Sequence, residues 1–91
     1  MRLHCAAVSS PEVKAVVIDE RVDGFFLERF DERGEVVGTT QHDTMDEAMS
    51  QAHSEYEIAE WRACPEDVDP VRYIREHGGT AGLRRGPGPP A

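Results

Sequence analysis

The sequence has little of what builds a nucleotide, cofactor or membrane site. It contains no P-loop and no G-x-G-x-x-G, and its only glycine cluster lies near the C-terminal end, which leaves no strand-loop-helix cradle for phosphate. No apolar run is long enough for a signal peptide or a membrane span. Cysteine is scarce: Cys5 and Cys64 are the only two, too few for a disulfide framework and too far apart for a C-x-x-C metal pair. Both are expected to be reduced thiols in a cytoplasmic protein. Basic side chains are few as well, ten against eighteen acidic ones, and Arg2, Arg84 and Arg85 lie in the termini. All eighteen acidic residues fall between Glu12 and Glu76, where seven basic residues leave a formal charge of −11, compared with −8 for the whole chain. Phosphate backbones repel such a body, so nucleic-acid binding through it is disfavoured. The acidity serves solubility or complements a basic partner protein.

The 91 residues make one domain. From Gly78 onward, Gly and Pro supply eight of the fourteen residues and Leu83 is the only large apolar side chain. Such a segment cannot offset its ordering entropy by burial, so residues 78–91 are expected to form a disordered tail. Residues 1–11 read as an N-terminal extension in which RLHCAAV could add a strand that Ser9-Ser10-Pro11 would end. The expected foldable unit is 12–77. A unit of that size hides only about 60% of its unfolded surface, which makes dimerisation or a partner an expectation.

Within the unit, EVKAVVIDE (12–20), GFFLERFD (24–31) and EVVGTTQH (35–42) have strand character. Asp23-Gly24 and Asp31-Glu32-Arg33-Gly34 supply the turns between them, and two short connections in succession imply a three-stranded antiparallel meander. Both faces hold apolar side chains: Val13, Ala15 and Val17 alternate with Val16 and Ile18, and Phe26 and Phe30 oppose Phe25 and Leu27. One face can take a helix. The other needs the C-terminal segment, a second subunit or a partner.

Thr44-Met45-Asp46-Glu47 fits a capping box, with the Thr44 hydroxyl accepting from the Glu47 amide and the Glu47 carboxylate reaching back to the Thr44 amide. A helix from Thr44 to Ala59 would carry Met45, Ala48, Met49, Ala52, Tyr56 and Ala59 on one stripe. EWRAC (60–64) can form a short fourth strand, and Asp69-Pro70 starts a short helix with Val71, Tyr73 and Ile74 on its apolar side. The fold class is therefore α+β: a three-stranded meander packed by one helix, a short fourth strand and a short C-terminal helix.

Candidate chemistry is thin. His42 and His53 are the weak metal candidates, but they belong to different elements and nothing local makes them converge. Cys64 lacks the glycine-rich turn or helix start that would activate a nucleophile. Glu28, Glu57 and Glu60 could pair as acid and base, as chance allows in any acidic chain. No cofactor is implied and the chain reads as non-enzymatic. The material for interaction is richer, because Phe25, Phe26, Phe30, Trp61 and Tyr73, together with Tyr56, exceed what one face of a small sheet requires.

The parts DGFFLERFDERG, VGTTQHDT, MDEAMSQAHSEYE and EWRAC resemble a group of small uncharacterised bacterial β-β-β-α proteins with a GDTWH-like motif, over about half of the chain. Thr39 or Thr40 and Gln41 stand where that motif has Asp and Trp. The run His42-Asp43-Thr44-Met45-Asp46-Glu47-Ala48 is also similar to the helix start of HicB-like antitoxins, although Asp31-Glu32-Arg33-Gly34 replaces that family's proline-containing turn. The second resemblance implies neutralisation of a small basic ribonuclease. Taken together, the expected role is an acidic protein-interaction module, antitoxin- or immunity-like, that binds a basic partner protein or a second copy of itself. The alternative is a small-molecule or metal-binding protein using His42 and His53.

Overall fold

Strict alternation along three β-branched and aromatic runs makes a sheet that is apolar on both sides, and the chain covers each side with a different helix. The computed structural model describes residues 1–77. Its elements are β1 (Arg2–Ala7), β2 (Ala15–Arg21), β3 (Gly24–Phe30), β4 (Val36–His42), α1 (Met45–Glu55), β5 (Arg62–Ala63) and α2 (Pro70–His77). The strands form one antiparallel sheet in the order β4-β3-β2-β1-β5. The expected meander is β2-β3-β4, and the fold is α+β. The expected disordered tail, 78–91, lies outside the described residues.

Residues 1–11 are not an extension: Arg2–Ala7 pairs with β2 on one side and β5 on the other, which makes β1 an interior strand. Ser9-Ser10-Pro11 does end the strand, but Val8 N–H then bonds to Lys14 C=O at 3.1 Å and closes a hairpin into β2. Cys5 and Ala6 are fully buried as a result.

On one face Val16, Ile18, Ala6 and Leu27 pack beneath Ala48 and Ala52 of α1, with Met45, Met49 and Tyr56 at the margin. The small alanines let the helix sit close to the sheet. The helix stops at Glu55, not Ala59, because Tyr56 takes an extended conformation (φ −139°, ψ 157°). Eleven residues rise about 16 Å, and turning there brings Ile58 and Trp61 onto the same cluster, whereas Ala59 is exposed. The chain then returns across the sheet to β5 on the far edge.

On the other face Val71 and Ile74 of α2 pack with Cys5, Ala15, Val17, Phe30 and Cys64. Asp69 caps α2, its Oδ1 accepting from the Val71 amide at 2.9 Å, with Pro70 in the first helical position. The C-terminal segment thus covers the second face, but it rests on β1 and β2 and leaves the β3-β4 half open.

Candidate interaction surface

The open half is built by register. Arg21 pairs with Gly24 across the two-residue turn Val22-Asp23, so Gly24, Phe26, Glu28 and Phe30 bond to β2. Phe25, Leu27 and Arg29 then bond to β4, opposite His42, Thr40 and Gly38. Thr39 and Gln41 therefore turn their backbone N–H and C=O groups outward, where no described strand pairs with them. An edge of this kind is a template for another chain.

Natural edges are commonly guarded by charge, yet β4 reads VVGTTQH and carries no Lys, Arg, Asp or Glu. Its one guard is an irregularity at its start, where Arg29 pairs with Gly38 but Phe30 with Val36, so Val37 is the extra residue of a bulge. Val36 and Val37 are both about half exposed, at 48% and 54%. Acidic residues stand at both ends of the strand: Glu32 and Glu35 before it, with the exposed Arg33 between them paired to Asp31 and Glu35, and Asp43, Asp46 and Glu47 after it. Inward of the edge, Phe26 is half-buried under the Arg21 guanidinium, 4.5 Å from the ring centroid, and Arg21 is held by Asp19 and Glu28 at 2.8 Å each.

The aromatic candidates are split by the sheet. Phe25 and Trp61 pack against the α1-side core, Phe30 and Tyr73 belong to the α2-side core, and Phe26 alone faces the open half. The histidines are split as well. His42 Nε2 meets Thr40 Oγ1 at 2.9 Å and lines a cleft of about 510 Å³ with Asp46, Glu47 and Ser50. His53 accepts from Trp61 Nε1 at 3.1 Å and lines a separate groove of about 870 Å³ with Lys14, Tyr56, Ile58 and Arg62. Among the described residues no group of three or more His, Cys, Asp or Glu could hold a metal ion, and no helix is long and apolar enough to cross a membrane.

The helix start is a cap, with one correction. Thr44 Oγ1 accepts from the Glu47 amide at 3.1 Å, but the Glu47 carboxylate accepts from the Asp43 amide at 3.2 Å and not from that of Thr44. The side chain reaches one residue further back, which fastens the β4-α1 joint as well as the first turn.

Sequence reading did not single out Arg29, the one buried charged residue among those described. Its guanidinium makes a two-point pair with Glu55, Nε to Oε1 at 2.8 Å and Nη2 to Oε2 at 2.9 Å, and also bonds Leu27 C=O and Thr40 Oγ1. The hydrogen bonds from Arg29 hold the Glu55 carboxyl below its usual range, and those to Glu55 raise Arg29. The pair ties β3 and β4 to the last turn of α1, where a cation also complements the helix dipole. Through Thr40 the pair also braces the edge strand β4 against the end of α1. Comparison of the chain with protein-family models, curated proteins and solved structures finds no match.

Proposed function

We propose that the protein is a non-enzymatic interaction module that binds a basic protein by adding a partner strand along β4. The carrying observation is an uncharged, outward-facing edge strand bracketed by acidic residues. Backbone bonds at Thr39 and Gln41 would give affinity, and cationic side chains flanking the partner's uncharged strand would meet Glu32 and Glu35 at one end and Asp43, Asp46 and Glu47 at the other. An antitoxin- or immunity-like role in the cytoplasm, masking a small basic enzyme, is the most concrete form of this reading, and the resemblance of the 42–48 run supports it.

The test compares the wild-type chain with Thr39→Pro. Proline deletes one outward donor and is tolerated on an edge, while the β3-β4 bonds at Gly38 and Thr40 remain. Wild type should hold a basic protein stoichiometrically from host lysate and release it as salt rises; Thr39→Pro should lose it while keeping its melting temperature within a few degrees. Capture that ignores both the proline and the salt would refute the reading, as would recovery of a second copy alone.

A further inference from the structure

Cys5 and Cys64 are 59 positions apart, and the two strands between which β1 lies decide that they meet. Cys5 pairs with Arg62 in β5, and the Cys64 amide bonds to Leu3 C=O at 3.3 Å, so the two cysteines occupy diagonal positions on one face of adjacent antiparallel strands. Both are free, both are buried, and both belong to the α2-side core. The two thiols are neighbours, each the largest influence on the other's titration.

We propose that Cys5 and Cys64 form a reversible dithiol/disulfide site that takes a low-molecular-weight disulfide such as oxidised glutathione as its oxidant. This inference is independent of the interaction reading. The two thiols have distinct parts. The Cys64 thiol donates to Pro65 C=O at 3.6 Å, and its pKa is lowered first by the neighbouring Cys5 and also by Arg2. The neighbouring Cys64, and then burial, raise Cys5. Cys64 keeps slight exposure at the end of β5 whereas Cys5 is fully enclosed in the interior strand, so Cys64 is the thiol that an oxidant reaches and Cys5 the resolving thiol.

The step balances as two exchanges. The Cys64 thiolate attacks one sulfur of the oxidant, forming a mixed disulfide and expelling one reduced thiolate. Cys5 then loses its proton and attacks Cys64 Sγ, forming the Cys5–Cys64 bond and expelling the second thiolate. The protein loses two electrons and two protons, and the oxidant becomes two thiols. Diagonal neighbours lie about 7–8 Å apart, at the limit of what a disulfide spans, so closing the bond requires Cys64, which follows the last residue of β5, to shift toward Cys5 and give up its amide bond to Leu3 C=O. The new bond would fasten the segment leading into α2 onto the interior strand β1.

The full chain is incubated with oxidised glutathione, then denatured and treated with an alkylating agent, and its intact mass is read. The expected product is a monomer two hydrogens lighter that resists alkylation and reverts with dithiothreitol. Closing a loop of about 60 residues constrains the unfolded chain, so oxidation should raise the melting temperature by roughly 10 °C or more. Cys5→Ser should stop at a mixed disulfide on Cys64, and Cys64→Ser should leave Cys5 unmodified. Full alkylation of both thiols after oxidation, or disulfide-linked dimers in place of the monomer, would overturn the proposal, and the wild-type chain alone yields either result whether or not the serine variants fold.

Discussion

The Arg29–Glu55 pair is asymmetric, and the asymmetry makes a prediction about which half can be spared. The Arg29 side chain is 10% exposed and that of Glu55 is 30% exposed. Deleting the carboxylate in Glu55→Ala leaves a buried cation whose other contacts, to Leu27 C=O and Thr40 Oγ1, are long at 3.2 and 3.3 Å. Stranding a fully buried charge costs about 3–5 kcal/mol, and the space vacated at the helix end admits some water, so a loss of roughly 2–3 kcal/mol is expected. Arg29→Met removes the charge, fills much of the same volume with a flexible apolar chain, and leaves a carboxylate that is partly in water and still hydrogen-bonded by Gln51. Its expected cost is about 0–1.5 kcal/mol.

Urea unfolding at pH 7, followed by the fluorescence of Trp61, the only tryptophan, measures both. The midpoint should fall clearly further for Glu55→Ala than for Arg29→Met with the slope unchanged, and adding Arg29→Met to Glu55→Ala should recover part of the loss. If Arg29→Met proves at least as damaging as Glu55→Ala, the premise that burial of the cation dominates this pair is wrong.

Acid should weaken the fold through the same carboxylate. Glu55, held low first by Arg29, and Asp31, held low first by the Glu35 amide, both have depressed folded values, so their contribution is complete above the unfolded carboxylate range near pH 4 and is lost as pH falls through the folded values. Thermal melts from pH 7 to pH 2 should show the difference between wild type and Glu55→Ala shrinking below about pH 4. Gly34→Ala should cost about 1–3 kcal/mol in chemical denaturation, because Gly34 has φ +83° and a Cβ there would overlap the Asp69 carboxylate that caps α2. Leu27→Ala, fully buried under α1, should cost about 2–5 kcal/mol. Removing residues 1–7 deletes an interior strand, and loss of near-ultraviolet circular dichroism would register collapse of the packed core; a fully folded truncated chain would contradict the sheet order.

The elements that were legible in the sequence are those whose information is local. The β2-β3-β4 meander follows from alternation and two turns, the α1 start from Thr44 and Glu47, and the α2 start from Asp69-Pro70. Each is decided by residues within a few positions of one another. The role of β1 was not legible, since RLHCAAV is short and its partners, β2 and β5, are fixed by tertiary pairing with segments up to 60 positions away. That single element decides much of the rest. Among the described residues, with β1 inside the sheet, β4 is the long free edge, and on the other side the two-residue β5 pairs with His4 and Cys5 of β1. With β1 inside, Cys5 is carried beside Cys64, which no spacing rule could anticipate. The Arg29–Glu55 pair was hidden for a related reason: an arginine in an alternating strand reads as solvent-facing until the helix that covers its face is known to end directly above it. The local pattern thus specifies which surfaces are apolar, whereas the place of one short strand specifies which edge and which thiols the chain presents, and the end of α1 specifies which charge it buries.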